Sequence, residues 1–182
     1  MRLVPYLLIS SMRRSNSEVN QGIFGEMKVA SIFHPFFFGN DGQIIFNDVT
    51  IQEGAKKNKH QIDHIVILPY GIFVIETKNI AGRVNGELQN ENWVLASGKT
   101  IYNPLLQNET HVRVVKDFLG LSRGVYSVVA FANSNKPKNI NVPELVNLED
   151  LKEYIKSFKG ERNEINLTKE EMETLASELT VK

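Results

Sequence analysis

Apolar residues arrive at helical spacing near the start of the chain, then in strand-length runs, then at helical spacing again. From residue 17 to about 33, Val19, Ile23, Met27 and Ala30 recur at three- and four-residue steps and predict a helix. Gly22 and Gly25 interrupt it. Glycine costs roughly 1 kcal/mol against alanine inside a helix, which is tolerable where the missing side chains let the helix approach a sheet closely. His34-Pro35 ends the helix, and Gly39-Asn40-Asp41-Gly42 marks a turn. Strands are predicted over residues 43–52, 61–68 and 72–78. Pro69-Tyr70-Gly71 joins the last two, read as a type I turn closed by a left-handed glycine. So short a loop sets an antiparallel register that brings Asp63 opposite Glu76 to within about one residue.

Asn85-Gly86, between Arg83-Val84 and Glu87-Leu88, signals a further hairpin, and Trp93-Val94-Leu95 another short strand. Asn103-Pro104 starts a helix, with asparagine as cap and proline at the first helical position. That helix carries Leu105, Leu106, Val112, Val115, Phe118 and Leu119, and Gly120 ends it. Residues 125–131 form a dense apolar run suited to the middle of a sheet. Helices are expected at about 148–158 and 168–179, the second with a Thr168/Glu171 capping box. Helix, three strands, helix, strand describes an α/β fold: a mixed sheet flanked by helices. The expected division is an N-terminal tail over 1–16, a main domain over 17–135, and a short helical C-terminal extension over 136–182 packed on the same domain.

Composition narrows the chemistry. A chain of 182 residues suffices for one domain with a sizeable core. Lys+Arg and Asp+Glu both number 21, so no overall field draws the molecule to nucleic acid, although local phosphate contacts need none. The absence of cysteine excludes disulfides, thiolate zinc sites and cysteine nucleophiles. Leu3-Val4-Pro5-Tyr6-Leu7-Leu8-Ile9 is too short to span a bilayer, and Arg13-Arg14 follows it in place of a small-residue cleavage site. The segment is read as a tail or edge element, with no stable membrane insertion and the cytoplasm as the expected location.

The candidate chemistry lies at strand ends. Glu76 and Lys78 close the run Gly71-Ile72-Phe73-Val74-Ile75 and project to one side, roughly 7 Å apart. One strand earlier, Gln61-Ile62-Asp63-His64 supplies a second acid. Two acids and a lysine at one end of a hairpin point to a metal-dependent phosphodiester site; the bland alternative is a solvated ion pair. His60 and His64 share a strand face by alternation, but no third ligand of fitting type is near and Asp63 points the other way, so zinc is not expected. Lys56-Lys57-Asn58-Lys59-His60 either grips a nucleic-acid backbone beside the site or is a solvated hairpin tip. Trp93 and Tyr102 are expected in the core rather than stacked on bases.

Gly22-Ile23-Phe24-Gly25-Glu26, Gln61-Ile62-Asp63-His64, Gly71-Ile72-Phe73-Val74-Ile75-Glu76-Thr77-Lys78-Asn79 and Asn103-Pro104-Leu105-Leu106-Gln107 stand in the order and spacing of successive motifs of one family. Over roughly residues 20 to 132 the chain resembles the nuclease-related domain (NERD) family of the PD-(D/E)XK nuclease superfamily. Ile62 stands where the superfamily's name has proline, a departure common in NERD proteins.

The resemblance implies a restriction-endonuclease-like fold and Mg²⁺-dependent cleavage of nucleic acid, DNA first, with Mn²⁺ as a substitute. It implies Asp63 and Glu76 as inner ligands of a hard, oxygen-seeking cation, helped by the Thr77 carbonyl, with Glu26 as an outer ligand. Gln107 would orient the attacking water or Lys78, and His111, four residues on, shares its helix face. A lysine acting as general base near neutrality must be destabilised by about 4 kcal/mol, and two neighbouring acids oppose that. Lys78 is therefore read as a charged group that holds the water and stabilises developing negative charge. The competing class is a nuclease-fold module that binds nucleic acid or a protein partner without cutting. A subunit active only in an assembly or as a homodimer is a third.

Overall fold

Strand β2 (Asn58–Leu68) and its hairpin partner β3 (Gly71–Lys78) are the spine of the computed structural model, which describes residues 17–34, 38–39, 42–53, 58–133, 136–160 and 164–180. The apolar runs Ile65-Val66-Ile67-Leu68 and Ile72-Phe73-Val74-Ile75 are buried throughout, as strands covered on both faces must be. β1 (Ile44–Glu53) pairs antiparallel with β2, while β7 (Val125–Phe131) runs parallel to β3. β8 (Leu145–Asn147) extends the sheet beyond β7, giving the order β1-β2-β3-β7-β8. The fold is the expected α/β one, a mixed sheet flanked by helices. The segment after residue 136 is more than helical, since it supplies β8.

Helices α1 (Ser17–Ile32) and α3 (Leu148–Lys156) cover one face, where Val29 and Phe33 meet Val66, Phe73, Ile75, Leu151 and Ile155. α2 (Pro104–Phe118) and α4 (Lys169–Thr180) cover the other, where Val114, Val115, Met172 and Leu179 pack on Ile65, Ile67, Ile72 and Val74. Each such side chain contributes about 1.5–3 kcal/mol by leaving water. Among the described residues no helix is long and apolar enough to cross a membrane. The tail over 1–16, Asn40, Asp41, Lys56 and Lys57 lie outside the described residues.

Capping follows the sequence. Asn103 Oδ1 accepts from Leu105 N at 3.0 Å, and its amide donates to the Leu88 and Asn90 carbonyls. Thr168 and Glu171 exchange the reciprocal bonds of a capping box.

Several local expectations fail for physical reasons. Gly71 does not take a left-handed conformation; it pairs with Leu68 inside the strand, and a Cβ there would lie 2.6 Å from the Tyr126 ring. Asn85-Gly86 does not close a two-residue hairpin. β4 (Val84–Asn85) pairs instead with β5 (Asn92–Leu95), and β6 (Thr100–Tyr102) completes a small second sheet. The cause is Trp93: its indole packs over Gly86 and donates to the Glu87 carbonyl at 3.0 Å, so the chain wraps around it. Trp93 is core as expected, whereas Tyr102 is 45% exposed. On α1, Ile23 and Met27 face solvent because the helix docks through Gly25, Val29 and Phe33 instead.

Alternation also breaks within the β1–β2 pair. Asn47 pairs with His64 and Val49 with Ile62, but the intervening Asp48 and Asp63 drop out of the ladder, and Asp48 adopts a left-handed φ of 55°. Ile44 and Phe46, then Val49 and Ile51, face the same layer as Ile67, Ile65 and then Ile62. Both strands therefore skip one step. In consequence His60 and His64 do not share a face, contrary to simple alternation. His60 lies beside α2, its ring 6.4 Å from that of His111, while the His64 ring bonds Asn47.

Candidate active site

The register of β2 and β3, with His64 opposite Ile75 as its last paired step, carries on to set Asp63 across from Glu76. There the Asp63 carboxylate accepts the Thr77 backbone N–H at 2.7 Å. Glu76 is only 3% exposed because α2 lies over the end of β3. One of its oxygens accepts from Lys78 Nζ at 2.5 Å; the other has no hydrogen-bond donor among the described residues and lies 3.6 Å from His111 Nδ1. Lys78 Nζ also donates to Gln107 Oε1 at 3.2 Å, so the lysine bridges strand and helix.

Two devices fix the helices around these strands. A Cβ on Gly25 would stand 2.5 Å from Asn79 Cβ, so the missing side chain lets α1 rest on the residue following β3. The Asn79 amide donates to the Gln21 carbonyl at that contact. Gly22, by contrast, faces open space. Asn108 of α2 is fully buried and donates to the Val74 carbonyl at 2.9 Å, the Val128 carbonyl at 3.1 Å and Ser127 Oγ at 2.8 Å.

The electrostatics are those of crowded acids. Burial, followed by the charge of Glu76, pushes Asp63 up to about 7 against the opposing Thr77 bond. Burial, then Asp48 and Glu76, also raises Glu26. His111 is pushed below its ordinary value, chiefly by burial, with Glu76 acting in the other direction. These residues suit a hard divalent cation: among the described residues one buried carboxylate oxygen lacks a donor, and a neighbouring carboxyl is raised by burial and by the Glu76 charge, both of which a cation would offset. Among the described residues no three His, Cys, Asp or Glu side chains are gathered for a metal, so a cation here would rest on two carboxylates, a carbonyl and water.

Of the residues singled out from sequence, Asp63, Glu76, Lys78 and Gln107 come together, with Glu26 and His111 beside them. Thr77 links the two acids. Lys59 is exposed, and His60 bonds Glu53. Sequence reasoning missed Asp48 and Asn108. Their signals were present: Asn47-Asp48 interrupts an apolar strand, and Asn108 falls on the apolar stripe between Leu105 and Val112.

Comparison with known proteins bears on this stretch. A family profile described as the nuclease-related domain matches residues 21–132, from within α1 to just past β7. An uncharacterized protein of Bacillus anthracis is 29% identical over 120 residues, covering 62% of this chain and 55% of the relative, so the chain spans about half of that relative's length. No solved structure matches.

Proposed function

Because this chain belongs to the nuclease-related domain family, we propose that it is a metal-dependent nuclease hydrolysing phosphodiester bonds of nucleic acid, with DNA as the first substrate to test. The observation that supports this most is the joining of Asp63 and Glu76 through Thr77, with Lys78 shared between Glu76 and Gln107. Asp63, Glu76 and the Thr77 carbonyl would hold Mg²⁺ or Mn²⁺, and Glu26 would bond a water at its edge. When bound, the cation neutralises charge on the scissile phosphate and makes a nearby water more acidic.

The chain's own groups do the positioning. Gln107, anchored in the first turn of α2 by its N–H to Asn103 O at 3.0 Å, fixes the direction of Lys78 Nζ. Lys78 orients the attacking water and offsets negative charge on the phosphoryl oxygens as the bond to the leaving oxygen lengthens. His111 closes the inner side of Glu76 and keeps bulk water from that carboxylate.

Incubating the protein with single- and double-stranded DNA and RNA, in Mg²⁺, Mn²⁺ or EDTA, tests the reading. Metal-dependent cutting that disappears in both Asp63→Ala and Glu76→Ala supports it. Tight binding without cutting under every condition transfers the protein to the non-cutting class.

A further inference from the structure

The sheet face that carries Glu76 also carries a charged cluster which the catalytic reading leaves unused. Glu53, the last residue of β1, turns one carboxylate oxygen to Arg113 of α2 and the other to His60 Nε2 of β2, at 3.1 Å. Arg113 also reaches Asp117, one turn along α2, at 3.5 Å. The Arg113 side chain is 52% exposed, so a solute can reach the cluster. His111 connects it to the acids. Its ring lies 6.4 Å from that of His60, and its Nδ1 is 3.6 Å from Glu76.

A carboxylate offering one oxygen to a guanidinium and the other to an imidazole presents the same paired anionic oxygens as a phosphodiester. Arginine suits that exchange, being planar, weakly hydrated and permanently charged. An ion pair this exposed contributes little to folding, so structural need alone explains the arrangement poorly. We propose that Arg113 and His60 form a subsite for a backbone phosphate flanking the scissile one, and that Glu53 fills it until nucleic acid displaces the carboxylate. The position along the strand rests on the nuclease reading; the anion recognition does not. Asp117 stays on Arg113 during the exchange and tempers its charge, so the subsite strengthens binding modestly.

The test uses fluorescein-labelled DNA, single- and double-stranded, with the full chain carrying Asp63→Ala so that nothing is cut. Anisotropy is followed across a salt series. Arg113→Gln is expected to weaken binding roughly five- to tenfold and to lower the slope of log affinity against log salt by about one. Glu53→Gln is expected to tighten binding about three- to tenfold, because Arg113 and His60 then release a neutral amide instead of a carboxylate. Unchanged affinity and salt slope in Arg113→Gln overturn the subsite, even if Glu53→Gln fails to fold. So does a folded Glu53→Gln protein that binds no more tightly than its parent, which leaves the triad as a clamp between hairpin and helix. Failure of the two readings is separable: cutting by the unsubstituted protein that Arg113→Gln leaves untouched sinks the subsite alone. The expected binding pattern in a protein that never cuts sinks the nuclease alone.

Discussion

Thr77 donates its backbone N–H to the Asp63 carboxylate at 2.7 Å, so the acid on one strand is held by the peptide that follows the acid on the next. Burial and the neighbouring Glu76 charge outweigh that bond and lift Asp63 to about 7. A raised carboxyl contributes stability below its unfolded pKa and loses it as pH climbs through the folded value. Without metal, this group should therefore cost about 2–4 kcal/mol between pH 4 and 7. Asp63→Asn should melt several degrees above the parent near pH 8 in EDTA, and added Mn²⁺ should stabilise the parent but not the variant. Calorimetry of both proteins with and without metal checks this; a variant melting at or below its metal-free parent contradicts it.

His64 works in the opposite direction. Burial drives it down to about 4, and its Nδ1–H donates to Asn47 Oδ1 at 2.7 Å in the neutral form. A depressed imidazole gives stability that is complete above its unfolded pKa and is lost as pH falls towards the folded value. Between pH 6.5 and 4 the loss is roughly 3 kcal/mol, so Asp63 and His64 largely cancel in the parent. In Asp63→Asn the cancellation ends, and stability measured by urea unfolding should rise from about pH 4 to 6.5 and then level. A flat profile in that variant counts against a neutral buried His64.

Lys78 separates two chemical roles. Its Nζ donates to Glu76 at 2.5 Å and to Gln107 at 3.2 Å. Lys78→Arg should keep metal-dependent cleavage within about tenfold, whereas Lys78→Ala should lose about 10²-fold or more. Single-turnover rates with saturating metal decide the matter. Equal losses in the two variants would mean that the lysine must give up its proton.

Asn108 is a stability prediction with a catalytic consequence. Removing its amide leaves the buried carbonyls of Val74 and Val128 without this donor and opens a small void. Asn108→Ala should cost about 2–4 kcal/mol in urea unfolding, and cleavage should fall even where the protein stays folded. Loss of stability with fully retained cleavage would separate this amide from the aim of Gln107.

Much of this was legible because local rules and tertiary structure agree. The Leu68–Gly71 connection is short enough to fix the β2–β3 register, which alone puts Asp63 across from Glu76. Asn103-Pro104 and Thr168/Glu171 satisfy helix ends from within their own segments. What escaped depends on partners distant in sequence. Gly71 is small for Tyr126, and Gly86 for Trp93. The break at Asp48 and Asp63 belongs to two strands at once: Asn47-Asp48 marks an interruption in β1, but nothing in β2 shows that it skips in step. Ile23 and Met27 misled because the true docking stripe of α1 includes a glycine, which no apolar periodicity counts.

With donors aimed at acceptors on two adjacent strands, Asn108 indexes α2 against the sheet much as a pin indexes a dial. A slide of one turn would leave the Asn108 amide without acceptors in an oily interior, whereas a purely greasy interface would let neighbouring settings compete. Gln107, one residue before the pin, and His111, three after it, thus take their bearings from an amide that never meets solvent.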